Sequence, residues 1–506
     1  MRPIIVGSGP IGLSIACAFA HAGIGVRLIE VGGDHSDLTG GDLLTPIFTG
    51  TRLNGATLGR TRQLGGGLNL WGGQLAWPNS SETQIGLNAL DSDPALKGYA
   101  RAALANLGIS TMHFGETETA QDILKRHSFI GEFGFEMVST AWLPKPKLSK
   151  RFWEQFKESA LIEVIRGLFV DRIEVNGQGS VVGVSGVRYD KTRREEIGGP
   201  VIIAAGTIET IRLLFQPKAD GTQQSWSNLR WLGRGFNDHL DANVASLKPK
   251  NSTIISDIFD PFYRGNVKHT AKLLKISAQG NEKLSAAVML VAPGNIRNAL
   301  SELKLLTSTL TPKALPTSAA RLIPATLAAL KEVGPLAWRY LRHRRLGTVL
   351  RGEANLRVLA EQPSRWSSRI ALSTERDSLG VRRPSIHWVR GSEEAKLFSE
   401  TAQALKGLFE GSGIGNVTID PLLERDPSAF TDSADEGLHH TGGARIGDGA
   451  SSGVVDTNLQ VFGTSGLYCC GASVLPQMGY SNPTLLAMAL GNRLVQHLTS
   501  CKARVA

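Results

Sequence analysis

The sequence predicts an α/β fold, a dinucleotide-binding domain on a parallel sheet interrupted by a second domain of α+β type. Three observations predict it. The chain opens on a strand, glycine loop, helix and strand in succession. A second buried run, Pro200–Thr207, leads into another helix in the same rhythm. Between residues 240 and 390 the rhythm breaks into strand-like stretches, such as Leu284–Val291 and Arg369–Ser373, around a helical region.

The opening unit carries the most information. Arg2–Val6 is a short apolar run suited to a buried parallel strand. Gly7-Ser8-Gly9-Pro10-Ile11-Gly12 follows, then the helix-forming Leu13–Ala20, then the strand Val26–Ile29, ending on Glu30. This G-x-G-x-x-G in its strand–helix–strand–acid context is a Rossmann-like fingerprint. Gly7 allows the tight turn, Gly9 lets backbone approach a pyrophosphate, and Gly12 lets helix and strand pack closely. Pro10 and Ile11 open the helix whose free N–H groups face the phosphates, and Glu30 suits ribose hydroxyls. The unit does not say which dinucleotide it holds.

With 506 residues the chain exceeds one simple core, so two large domains or about three are expected. The net charge of +10 invites a nucleic-acid reading. No nucleic-acid motif accompanies the charge, which is spread along the chain, so no nucleic-acid partner is expected. No apolar run is long enough for a membrane span, and the first strand starts too early to leave room for a secretory signal. Cys17, Cys469, Cys470 and Cys501 show no metal spacing and read as reduced thiols, which places the protein in the cytoplasm with no metal site.

Thr61–Gln74 holds five glycines in fourteen residues, a loop that lets backbone approach a flat or charged ligand. Arg62, Gly66, Gly67, Asn69, Trp71 and Gly72 are its candidate contacts. Ile162–Val175 reads as paired strands, and Val181–Tyr189 as another. The Pro200–Thr207 strand ends in small residues, so Ala205 and Gly206 sit where backbone meets phosphate or ribose at the start of helix Ile208–Leu214.

Residues 317–352 set Leu322, Leu327, Trp338 and Leu341 among seven basic residues and a single acid, Glu332. This basic amphipathic stretch reads either as a helix pair packed on the domain with a solvated basic face, or as peripheral contact with an anionic inner-membrane face. Pro324, Gly334 and Pro335 break the helix and favour the first.

Near the C-terminus, His439-His440-Thr441-Gly442-Gly443-Ala444-Arg445-Ile446-Gly447 places two histidines beside a glycine turn. The strand Gly466–Cys470 runs into Gly471-Ala472-Ser473. Ser481 or Asn482 then suits the N-cap, and Pro483 the first position, of the helix Leu485–Leu498.

These C-terminal motifs, with the fingerprint, the loop before Trp71 and Gly233-Arg234-Gly235-Phe236-Asn237-Asp238-His239, resemble the glucose–methanol–choline (GMC) oxidoreductases, flavoenzymes that oxidise alcohols. The resemblance covers both ends of the chain and is weak between about 245 and 360. It implies a Rossmann-like FAD-binding domain (residues 1–75, 155–245 and 430–506) and an inserted α+β substrate domain on an antiparallel sheet (76–154 and 246–429). His439 matches the family's catalytic histidine and Asn482 its partner, with His440 the alternative base. Val170 matches the valine whose backbone reads adenine, and Gly471, Ala472, Asn482, Pro483 and Thr484 lie where the C-terminal strand and helix approach the flavin. Leu70 stands where some pyranose-oxidising relatives carry a flavin-linked histidine, so the FAD is expected to be non-covalent. The Leu64–Trp77 loop and the Gly442–Gly447 turn look nearer that branch, which implies a sugar or glycoside substrate, with oxygen, a quinone or a redox protein as electron acceptor.

The residue types suit that chemistry. An imidazole can take the hydroxyl proton while a hydride leaves carbon, and a neutral amide can hold the oxygen without competing for the proton. Two rival readings remain at this stage. An NAD-dependent dehydrogenase uses the same fingerprint but leaves the histidine series unexplained. A non-catalytic flavoprotein-like module for lipid-modified partners is opposed by the intact His439/Asn482 pair.

Overall fold

The computed structural model describes residues 2–33, 42–78, 95–106, 118–143, 159–264, 267–279, 282–291, 338, 341, 350 and 352–503. Almost all of the 317–352 segment lies outside them.

A five-stranded parallel sheet takes its strands from across the chain, in the order Leu467–Cys469, Val201–Ile203, Ile4–Val6, Val26–Glu30 and Ile162–Arg166. Val201–Ile203 and Ile4–Val6 read as unbroken apolar runs because both faces are covered, and Ile4, Ile5 and Ile202 are fully buried. Each such side chain contributes about 1.5–3 kcal/mol of burial. Helix Pro10–His21 lies against this sheet, with Pro10 pre-set for its first turn. A Cβ on Gly12 would stand 1.9 Å from the Gly7 carbonyl oxygen, so only glycine permits this approach of helix to strand. Helix Thr484–Ala503 packs on Pro10–His21, and Asn492 donates to the buried Ser14 hydroxyl at 2.9 Å.

Ile162–Val175 does not form paired strands. Gly167, at φ +69°, breaks the run. Ile162–Arg166 joins the parallel sheet, whereas Leu168–Val175 leads a three-stranded antiparallel meander with Val181–Arg188 and Arg193–Ile197.

The second unit is a nine-stranded antiparallel sheet. Its path runs Gly415–Ile419, Leu240–Pro249, Ala354–Ala360, Glu282–Val291, Val267–Gln279, Phe135–Trp142 and Gln74–Leu75, with two short strands beside it. Helix Ser392–Gly411 covers it, burying Leu397, Phe398, Thr401, Leu405, Leu408 and Phe409 at helical spacing. Among the described residues no helix is long and apolar enough to cross a membrane. Cys17, Cys469 and Cys470 are buried free thiols.

Candidate active site

A cleft of about 320 Å³ opens at the C-terminal ends of the parallel strands, where open α/β sheets bind ligands. Gly7, Gly9, Pro10, Ile11, Glu30, Arg62, Gly66 and Gly67 border it from the N-terminal side. Val170, Ala205, Gly206, His439, His440, Gly471, Ala472, Pro483 and Thr484 complete its wall. Five of the candidate residues do not border it: Gly12, Asn69, Trp71, Gly72 and Asn482. Gly12 packs the helix on its strand. Asn69 ties its own loop, donating to the carbonyls of Leu64 and Gly66 at 3.0 Å each. Trp71 is partly buried with no acceptor for its indole N–H among the described residues, and Gly72 lies beside the Trp142 ring.

The cleft is largely a backbone surface. Helices Pro10–His21 and Thr207–Phe215 begin beside it, with Gly9 and Gly206 as N-caps that offer no side-chain acceptor. Their first N–H groups are therefore left for a ligand, and the helix dipole favours an anionic one. A Cβ built on Gly9, Gly67, Gly206 or Gly471 would meet no protein atom within 4 Å, which is room for a ligand lying against the chain. Glu30 accepts from the Ser8 N–H at 3.1 Å, the Ser8 hydroxyl at 2.5 Å and the Gly32 N–H at 2.9 Å. The Ser8 hydroxyl in turn accepts from the Gly65 N–H at 3.2 Å, stapling fingerprint, acid and second glycine loop together. Burial outweighs these bonds and raises the Glu30 carboxyl above its ordinary range.

The other end of the cleft is built from side chains. Residues 237–239 and 439–441 are zipped together: Asn237 and Thr441 exchange backbone hydrogen bonds, and the Thr441 hydroxyl donates to Asn237 Oδ1 at 2.5 Å. Gly442, at φ +78°, permits this, since a Cβ there would stand 2.0 Å from the Gly235 carbonyl oxygen. Asp238 is fully buried, and its Oδ1 accepts the N–H groups of His239 and His439 at 2.7 Å each. Its Oδ2 accepts the Leu438 N–H at 3.1 Å, which holds Leu438 in its unusual φ of +62°. Burial raises the Asp238 carboxyl to about 7.

The two adjacent histidines have different surroundings. His439 Nδ1 lies 2.8 Å from His239 Nδ1, with the ring planes at 89°. His239 Nε2 donates to the Gly479 carbonyl at 2.7 Å. His440 instead turns its Nε2 toward Asp238 Oδ2, 3.7 Å away, and its ring toward Phe236. Sequence alone expects an imidazole titrating near neutral pH, but the structure lowers all three. Burial is the main cause, taking His239 to about 4, His440 to about 3 and His439 well below its ordinary value. The donor atoms of Asp238, His239 and His439 come within 4.8 Å of one another, a metal-like grouping, but these hydrogen bonds already engage them.

Asn482 stands beside the cleft rather than in its wall. Among the described residues its side chain accepts no helix N–H; its amide donates to the Gln74 carbonyl at 3.4 Å, Ser481 donates to the Met478 carbonyl, and the helix starts at Thr484. The Gly479 N–H donates to buried Glu361 at 2.9 Å, and burial holds that carboxyl at about 7.

Residues 364–491 match the C-terminal family model described as GMC oxidoreductase. This segment carries the C-terminal domain of the GMC oxidoreductases. Solved structures share the fold of this chain over nearly its whole length. Pyridoxine 4-oxidase from Mesorbium loti aligns with TM-score 0.61 and 14% identity, covering 99% of each chain. A formate oxidase of Aspergillus oryzae RIB40, studied for its FAD modification, gives 0.60 and 15%, covering 100% of this chain and 99% of that one. A further formate oxidase structure gives 0.61 and 14% with the same coverage. No curated protein matches the sequence. Sequence reasoning missed Ser8, Asp238, His239 and Glu361. Asp238 and His239 lie in a quoted motif, yet nothing in their spacing points to partners two hundred positions away.

Proposed function

We propose that this chain is an FAD-dependent GMC oxidoreductase that oxidises a hydroxyl group of a sugar or glycoside, with His439 as the base that takes the hydroxyl proton. The observation that carries the reading is the placement of His439. It is a neutral imidazole bordering the same cleft as the glycine cradle, with Nδ1 held by His239 and no partner for Nε2 among the described residues. FAD, when bound, supplies the hydride acceptor.

The residues present suit that cofactor. The uncapped helix starts at Gly9 and Gly206 would hold its pyrophosphate, Glu30 a ribose, and the Val170 backbone the adenine. The two-for-one bulge between Val170 and Arg172 interrupts the strand pairing there, which favours a ligand contact at this point. Leu70 is half-exposed and does not border the cleft, which supports non-covalent binding. At the reacting end, Nε2 of His439 accepts the hydroxyl proton, and Asn482, on the loop beside it, holds the same oxygen. The sugar assignment rests on the Leu64–Trp77 loop and the Gly442–Gly447 turn.

The test is to purify the protein with FAD, record its absorbance, and add sugars, glycosides and simple alcohols anaerobically. Bleaching by a sugar supports the reading; bleaching only by other alcohols moves the substrate class. Readmitting air, or adding a quinone, then names the acceptor. Release of the yellow colour by acid precipitation marks non-covalent flavin. His439→Ala is expected to keep the colour and slow bleaching by about 10²–10⁴-fold. Undiminished bleaching would remove His439 as the base.

A further inference from the structure

We propose that His239 is a positioning residue: it holds His439 as the Nδ1–H tautomer, so that Nε2 is the bare nitrogen facing substrate, and it ties that histidine to the loop carrying Asn482. The inference rests on His439 being the base and extends that reading to a residue that touches neither substrate nor cofactor.

The argument starts at the Gly479 carbonyl, which can only accept. His239 Nε2 lies 2.7 Å from it, so Nε2 carries the hydrogen. His239 is fully buried and its pKa is depressed, so the ring is neutral and Nδ1 is a lone-pair acceptor. The atom 2.8 Å from that acceptor is His439 Nδ1, which must therefore be the donor. His439 is also neutral, so its one hydrogen is spent on Nδ1 and Nε2 is bare. One carbonyl thus fixes the tautomers of two rings in series. Backbone geometry fixes the rest, because Asp238 Oδ1 binds the N–H groups of both histidines at 2.7 Å and sets the spacing between them.

The arrangement also acts during proton transfer. When Nε2 of His439 takes the substrate proton, the ring becomes cationic and its Nδ1–H bond to His239 becomes charge-assisted, hence stronger. An interaction stronger after the transfer than before it accelerates the step. A neutral imidazole gives less stabilisation than a carboxylate would, but it places no second charge in a buried site. The same ring fixes the neighbouring loop. The Gly479 peptide is gripped on one side by His239 and on the other by Glu361, three residues before Asn482. His239 therefore sets the position of both groups assigned to the substrate oxygen. Lys272 and His440 also act electrostatically on His439, and both are retained in the variants below.

The direct test is ¹⁵N NMR of the FAD-loaded protein labelled at histidine, with the two rings assigned by loss of signal in His239→Asn and His439→Gln. The expected result is a protonated Nδ1 and bare Nε2 on His439, and the reverse on His239. A protonated Nε2 on resting His439, or a cationic His239, overturns the proposal whether or not any variant folds. The kinetic test compares two substitutions. In His239→Asn the amide oxygen can still accept from His439, so flavin bleaching should slow by no more than about tenfold. His239→Phe keeps a ring and removes the acceptor, and should slow it by about 10²-fold or more with KM little changed and the pH profile of reduction displaced. Equal rates in the two variants, or a Phe loss confined to KM, would also overturn it. If His439→Ala bleaches normally, the base reading itself fails. That result is separate from the tautomer the NMR reads in the unaltered protein.

Discussion

The two ends of the cleft are made of different material. The fingerprint end is backbone: residues 7–11, Gly66, Gly67, Ala205, Gly206 and Gly471, with two helix starts left uncapped. The histidine end is side chains on buried carboxylate and carbonyl anchors, drawn from segments 200 and 240 positions apart. A backbone surface fails when something fills it, whereas a side-chain network fails when a bond is taken out. Substitutions at the first end should therefore act on folding or on cofactor affinity. Those at the second should act on rate and on the stability of one corner.

The largest expected effect comes from filling the tightest contact. Gly12→Val would drive a Cβ to within 1.9 Å of the Gly7 carbonyl oxygen, which is backbone at the C-terminal end of the central strand Ile4–Val6. The helix must lift off, at a cost comparable with the whole margin of about 5–15 kcal/mol. The expected outcome is insoluble or unfolded protein. A cooperative melt near the wild-type temperature would show that the close approach is not required.

Asp238→Ala is the counterpart at the other end. It removes the acceptor of three backbone N–H groups, those of His239, Leu438 and His439. Buried donors left unpaired cost about 1–3 kcal/mol each, so a loss of several kcal/mol is expected. Flavin bleaching should be lost at temperatures where the protein still melts cooperatively and keeps its colour. Loss of colour in step with bleaching would mean that the two ends do not fail separately.

The titratable groups of this corner set a pH window of intermediate size. His239, His439 and His440 have depressed folded pKa values, so their contribution is complete above the ordinary histidine value and is lost as pH falls toward about 4 and about 3. Asp238 and Glu361 have raised values, so their contribution is complete below the ordinary carboxylate range and is lost as pH rises through about 7. The melting temperature should therefore peak close to neutrality and fall on both sides. His440→Gln, which removes one neutral buried ring, should flatten the acid limb. A profile unchanged by that substitution between about pH 4 and about pH 6 would show that His440 takes up its proton without cost to the fold.

The same contrast explains what could be read from the amino-acid order. The fingerprint was legible because its parts lie within thirty residues and each glycine has a local steric reason. The paired strands expected at 162–175 failed for a non-local reason: Gly167 hands the chain from one sheet to another, and strand periodicity carries no such information. The N-cap expected of Ser481 or Asn482 failed because both side chains turn elsewhere, the Ser481 hydroxyl to the Met478 carbonyl and the Asn482 amide N–H to the carbonyl of Gln74, four hundred positions earlier. His439 was visible beside its glycine turn. His239 and Asp238 were not, since a hydrogen bond spanning two hundred residues leaves no mark on spacing.

The smallest structural change sharpens the comparison furthest. Gly9 and Gly12 belong to one motif, yet a Cβ on Gly9 meets nothing within 4 Å and its backbone, at φ −63° and ψ −178°, is open to any residue. Gly9→Ala should therefore leave the apoprotein within about 1 kcal/mol of wild type, the usual range for an N-cap exchange. The added methyl group would project into the cleft at the helix start, between the free N–H groups and any phosphate they hold. FAD affinity should fall by about tenfold or more, since each tenfold is about 1.4 kcal/mol of lost contact. Titrating the apoprotein with FAD and melting it in parallel reads both quantities. Weakened binding with an unchanged melt assigns Gly9 to the ligand and Gly12 to the fold. An apoprotein that melts much lower would instead place both glycines in the packing of helix on strand.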